Sequence, residues 1–217
     1  MFKTLYPNKN SSLFSQDPEK NTSQDQILDL LKFATGEPTI EGDESTYYPA
    51  TYNSRILIQF DLSEVSSSIA SGKINGTSQF YLVLKSAHSI NLANDYSIYA
   101  YPVSGSWSTG RGFANSNPPS SDGVSWKYRD SKLSGTLWKT GSYNSTSTGS
   151  YSTIAGGGNW FTSSFGVQSF SHDNPDIRMD VTSIVRQWVS GSIPNNGFMV
   201  KLKDSDEFSL EQFGQIL

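Results

Sequence analysis

Apolar and polar positions alternate most cleanly over residues 54–62, where Ile56, Ile58 and Phe60 fall on one side and Arg55, Leu57, Gln59 and Asp61 on the other. A period of two is the mark of a strand with one face turned to a core. Residues 78–85 (around Phe80, Leu82 and Leu84) and 96–103 (around Ile98) read the same way, the second ending near Pro102. The run 27–33 is short, apolar and bounded by Gly36 and Pro38, which favours a buried strand. Asn195-Asn196-Gly197 is a turn signal that opens a further strand over 198–203.

One segment changes period. Val181, Ile184, Val185, Trp188 and Val189 recur at i, i+3, i+4, i+7 and i+8, with Asp180 in an N-cap position and Gly191 just past the end. The spacing predicts a short helix over about 181–190. Strands at intervals with one such helix predict an all-β fold, a jelly-roll-like β-sandwich with long polar loops. Ile56, Ile58, Phe60, Leu82, Leu84, Ile98, Ile184 and Trp188 are its expected core.

Residues 1–24 are polar and carry loop signals, so they read as an N-terminal arm with at most a short edge strand near 4–6, ahead of a single β-sandwich domain over 25–217. Residues 104–165 differ in kind, holding Gly, Ser, Asn and Pro in abundance together with four of the five Trp. A structureless loop that long is uncommon inside a domain. Short strands are expected within it, at 124–128 and 160–165, with the triple glycine at 156–158 as a flexible tip.

Composition sharpens this picture. Ser, Thr and Asn (38, 15 and 14) make close to a third of the 217 residues, a composition of turns and polar strand faces. Aromatic residues are 13% of the chain, which excludes disorder as the overall state. The net charge of −4 lacks the basic excess of a nucleic-acid surface. With no cysteine, disulfides, thiol nucleophiles and Cys-based zinc sites are excluded. No apolar run reaches the length of a membrane span, and the first residues do not read as a secretory signal; synthesis in the cytoplasm, followed by retention there or exit by a route other than a standard N-terminal signal, is the expectation.

Candidate chemistry is sparse. The two histidines, His88 and His172, stand in loop contexts, and no Ser occupies a Gly-x-Ser-x-Gly elbow, so a Ser–His–acid triad has no sequence support. No phosphate-binding glycine motif is present. The acidic runs at 41–44 and 204–207 resemble pieces of a calcium loop, lack its full spacing, and read as solvated acidic turns. No cofactor or metal is expected, and paired carboxylates for glycoside hydrolysis remain only a base rate among 20 acids. Trp126, Trp138, Tyr143, Tyr151 and Trp160 lie in or beside polar loop sequence, where exposed aromatic faces would stack on sugar rings or contact a partner; core filling is the competing reading.

As an ensemble these segments resemble the DNRLRE-type β-sandwich domain over roughly residues 25–210. Residues 54–63 are similar to its "SR-x-L-x-x-F-D-L" strand, 180–189 to its "D-V-T-x-x-V-x-x-W" helix, and Asn196, Gly197 and Phe198 to its "N-x-G-F" strand. Ile98 to Ser104, Trp107 and Trp126 follow in the family's order. Two departures stand out. Thr109-Gly110-Arg111 occupies the place of the family's Glu-containing "W-S-E-G-T" motif, and the chain reaches Ile216-Leu217 without the family's closing strand. The resemblance implies either an adhesive or carbohydrate-binding module, or a virion structural protein of a tailed bacteriophage. Without signal, cysteine or catalytic constellation, the virion setting is the expectation: a non-enzymatic neck, tail or head-decoration protein. Its partners would be other virion proteins in a symmetric assembly and a surface glycan, with neither nucleic acid nor membrane involved.

Overall fold

The computed structural model describes residues 3–35, 38–41, 44–47, 50–75, 77–90, 92–93, 95–132, 135–138, 156–171, 176–207 and 214–216. The fold is all-β, and every strand pair among the described residues is antiparallel. In chain order the elements are β1 (Pro7–Phe14), β2 (Leu30–Thr35), β3 (Pro38–Glu41), β4 (Glu44–Tyr47), β5 (Ala50–Phe60), α1 (Ser63–Ala70), β6 (Tyr81–Leu84), β7 (Ser89–Ile90) and β8 (Tyr96–Pro102). They continue as β9 (Tyr128–Asp130), β10 (Thr136–Leu137), β11 (Gly166–Phe170), β12 (Ile177–Asp180), α2 (Thr182–Val189), β13 (Phe198–Leu202), α3 (Asp204–Glu207) and β14 (Gly214–Ile216).

Eight strands form one sheet in the order β11-β8-β13-β5-β2-β14-β7, with β1 paired to β5; β6 and β12 form a second, two-stranded sheet. The centre of the large sheet is buried on both faces, because every residue of β13 and residues 53–58 of β5 are buried. Alternation then sorts their side chains onto two cores. On one face Ile56, Ile58, Ile98, Phe198, Val200 and Leu202 pack with Leu82, Ile177 and Met179 of the small sheet and with Ile184, Val185 and Trp188 of α2. The expected core residues all lie in or against this cluster. On the other face Leu13, Leu57 and Met199 meet Val103, Trp107, Val124, Trp126, Trp138 and Trp160.

The segment expected to be an arm is a strand. β1 pairs along β5 from Pro7↔Phe60 to Phe14↔Ser54. Its pattern hides this because Ser11 and Ser12 are buried and stand where apolar residues usually would. The Thr22 hydroxyl donates to the Ser12 carbonyl at 2.7 Å and accepts from the Ser12 N–H at 3.1 Å, so the buried polar atoms are satisfied. The strands expected at 124–128 and 160–165 fall later, at β9 and β11, and Trp160 makes a single bridge to Val103. The helix expected over 181–190 is α2, and the serine-rich α1 is an addition. Among the described residues no helix is long and apolar enough to cross a membrane.

Candidate functional site

Among the described residues the Trp-lined face of the sheet carries the buried charges: Arg55, Lys201 and Glu207, with Lys32 of β2 nearby, its ammonium donating to the Asp206 carbonyl. Alternation puts Arg55 of β5 on this face beside Leu57, and Lys201 of β13 beside Met199. Directly after β13, α3 folds back over the sheet and brings Glu207 between them. The Arg55 guanidinium donates from Nε to Glu207 Oε1 at 3.1 Å and from Nη2 to Oε2 at 2.8 Å, a bidentate fork. Lys201 Nζ lies 2.8 Å from Glu207 Oε2 and is also paired with the half-buried Asp204. All three charged side chains are at most 1% exposed. Burial alone pushes the Glu207 carboxyl up, but the Arg55 and Lys201 charges beside it and their hydrogen bonds outweigh that and hold it below the usual carboxylate range.

The loop layer completes this cage. The Arg55 guanidinium carbon sits 4.8 Å from the Trp126 ring centre and 4.9 Å from that of Trp160, and Lys201 Nζ is 5.2 Å from Trp160. Arg55 Nη1 donates to the Gly157 carbonyl at 2.7 Å, and the Gly157 N–H donates to the Trp126 carbonyl at 2.6 Å. Gly157 has φ +76°, and a Cβ there would lie 2.5 Å from Arg55 Nη1. The triple glycine is therefore a buried close approach, not a flexible tip.

These contacts relocate the aromatic candidates. Trp126, Trp138 and Trp160 are 4%, 4% and 8% exposed, so they fill the second core and offer no open ring face. The Trp138 indole donates to the Ser125 carbonyl at 3.0 Å, and the Trp107 indole to the Asn196 carbonyl at 2.8 Å. Tyr143 and Tyr151 lie outside the described residues, as do His172 and part of the 41–44 acidic run. His88 is exposed. The 204–207 run is not a solvated turn, since Glu207 is an anchor of the buried network; among the described residues no group of three metal-ligating side chains comes together. Sequence spacing could not reveal the Arg55–Glu207 pair, whose members are 152 positions apart.

The open part of the same face lies over β8 and β11. Tyr99 and Tyr101 stack with ring centres 5.8 Å apart, and Phe165, 48% exposed, lies 5.6 Å from Tyr99 and 5.7 Å from Tyr101. Next to them a groove of about 420 Å³ is floored by Ser97 and Ser169, whose hydroxyls are 2.8 Å apart, and walled by Asp95, Tyr99, Lys203 and Asp206. A further outward-facing apolar feature belongs to the small sheet. Tyr81 and Val83 of β6 are 37% and 51% exposed, with the Arg178 guanidinium 3.8 Å above the Tyr81 ring.

Compared with known proteins, the chain matches no family model, no curated protein and no solved structure.

Proposed function

We propose that the chain is a non-catalytic structural module of a tailed-bacteriophage virion, a neck, tail or head-decoration component that works by assembling with other virion proteins. The observation that carries this reading is the β6 edge. Among the described residues β6 pairs with β12 alone, and its outward side chains include Tyr81 and Val83. A strand with free backbone groups and exposed apolar side chains is a template for pairing with another chain. Charge or cover blunts an edge that is not meant to pair, and Val83, 51% exposed, leaves this one open to a partner.

The resemblance supports the same reading through what the shared residues do. The residues common to the family's motifs build the frame: Arg55 holds the buried network, Trp188 fills the helix-side core, and Gly197, at φ +85°, lets the chain enter β13 against the Ile58 carbonyl. A frame held by buried ion pairs and two cores suits a load-bearing subunit. A carbohydrate-binding role through Trp126, Trp138 and Trp160 is disfavoured by their burial.

The test is twofold. Antibody raised against the chain should label purified tailed particles; failure to find the chain in any such particle overturns the virion reading. Separately, Val83→Lys, a charge on the open edge, should leave thermal unfolding unchanged and abolish incorporation or self-association. Unaltered assembly by that variant would remove β6 as the docking edge.

A further inference from the structure

The direction in which β6 turns its backbone is fixed at its start. The Phe80 carbonyl accepts the Val181 N–H at 2.9 Å, and the Phe80 N–H donates to the Thr182 hydroxyl at 2.8 Å, so Phe80 turns both groups toward β12 and the start of α2. Backbone direction repeats every second residue of a strand, so Leu82 and Leu84 turn theirs the same way. The Ser86 N–H continues the series, donating to the Asp176 carboxylate at 3.0 Å. Tyr81 and Val83 therefore point their N–H and C=O groups away from β12, and among the described residues no strand, turn or loop takes them. The same two residues carry the exposed side chains of the outer face, while Leu82 is buried beneath it.

A strand added antiparallel here must exchange hydrogen bonds with Tyr81 and Val83, and must set outward side chains opposite outward ones. β6 itself meets both conditions. Set antiparallel to a second copy about a two-fold axis at Leu82, it brings Tyr81 opposite the second copy's Val83, Phe80 opposite its Leu84, and Leu82 opposite its Leu82. Aromatic against β-branched is a favourable cross-strand pair. Lys85 is the sole charged residue over 78–85 and falls opposite the second copy's Gln79. The two Lys85 ammonium groups then lie about 20 Å apart along the strands, where salt screens their repulsion. Sliding the axis to Val83 is worse, because it sets Lys85 opposite a Tyr81 ring that already carries the Arg178 guanidinium at 3.8 Å. We propose that β6 pairs antiparallel with β6 of a second copy of this chain, about a two-fold axis at Leu82, joining their two-stranded sheets into one. This rests on the reading of β6 as the docking edge and adds the identity and register of its partner.

The chain has no cysteine, so introduced thiols report the register directly. Full-length Tyr81→Cys and Val83→Cys proteins, mixed and oxidised, should give several-fold more disulfide-linked dimer than either gives alone. Residues of a hydrogen-bonded antiparallel pair stand about 5.5 Å apart at Cα, within reach of a disulfide. Sedimentation of the unaltered chain at up to about 1 mM should show a reversible monomer–dimer equilibrium. Val83→Lys should abolish it with thermal unfolding unchanged. A monomer at every concentration overturns the proposal. So does cross-linking of Val83→Cys alone in preference to the mixture, or a dimer that Val83→Lys leaves intact. The virion reading fails separately: a dimer of the expected register in a chain that no tailed particle contains sinks that reading and upholds this one. Monomers whose incorporation into particles Val83→Lys still blocks do the reverse.

Discussion

At the residue scale, the chain's clearest physical commitment is to bury Arg55, Lys201 and Glu207 together. Removing one member of a buried ion pair leaves the others uncompensated, which costs about 3–5 kcal/mol, more than forming the pair gains over an apolar isostere. Glu207→Gln should therefore lower unfolding stability by about that amount in urea titration at neutral pH. The sign of the pH dependence follows from the same contacts. Because the folded carboxyl is held below its ordinary 4.5, its contribution is present above that value and is lost as pH falls through the lower, folded one. Glu207→Gln should flatten this acid limb. Asp29 behaves oppositely: burial raises it, against a hydrogen bond donated by Gln215 at 3.1 Å. Its contribution is present below the ordinary 3.8 and is lost as pH rises through the raised, folded value. Asp29→Asn should consequently stabilise the protein at neutral pH, and the gain should vanish below 3.8; an equal gain at both pH values would refute the assignment.

At the scale of elements, α2 shows what was legible in the sequence and what was not. Its period of 3.6 announces the helix, and its buried residues are the ones that period selects: Ile184, Val185 and Trp188. The start is subtler. Val181 stands at the N-cap without a side-chain bond, and the Asp180 carboxylate one residue earlier accepts the Thr182 N–H at 2.8 Å. The Val181 N–H donates to the Phe80 carbonyl at 2.9 Å, and the Thr182 hydroxyl accepts the Phe80 N–H at 2.8 Å. The Asp-Val-Thr segment thus ties the helix start to the strand beside it. Asp180→Ala should cost about 1 kcal/mol, the usual worth of a capping side chain, with the loss seen by urea denaturation and smaller in acid, where the carboxyl is already protonated. β1 was illegible for the opposite reason, because two of its three buried residues, Ser11 and Ser12 beside Leu13, are serines, and hydrophobic alternation is blind to a buried hydroxyl pair such as Ser11 with Thr22. The tryptophans misled similarly. Polar neighbours in sequence say nothing of a loop folded back on a sheet, and exposure is decided by contacts such as Trp126 with Arg55 that span the chain.

For the whole molecule, the consequence of burying β5 and β13 on both faces is that neither core can be lost alone. Leu57 and Met199 belong to the Trp-lined core, while Ile56, Ile58, Phe198 and Val200, their immediate neighbours in the same strands, belong to the helix-side core. Arg55 adds a polar tie, reaching from the sheet to Gly157 in the loop layer and to Glu207 beyond β13. Peeling the loop layer away would expose Arg55, Lys201 and Glu207 to water, which softens the penalty of their burial. It would also strip the apolar cover from Leu57 and Met199 and break the Trp107 indole bond to Asn196. The second set of losses is the larger, since it removes most of one core at about 25 cal/mol per Å² of apolar surface re-exposed. Unfolding should therefore be one cooperative transition. Four of the five tryptophans report the loop-side core and Trp188 reports the other, so a Trp188→Phe variant makes fluorescence a probe of the loop layer alone. Its urea midpoint should coincide with that of far-UV circular dichroism, which follows the sheet. A fluorescence transition completed at lower urea would show that the layer detaches as a separate unit, and that the Arg55 network joins it to the sheet less strongly than its geometry requires.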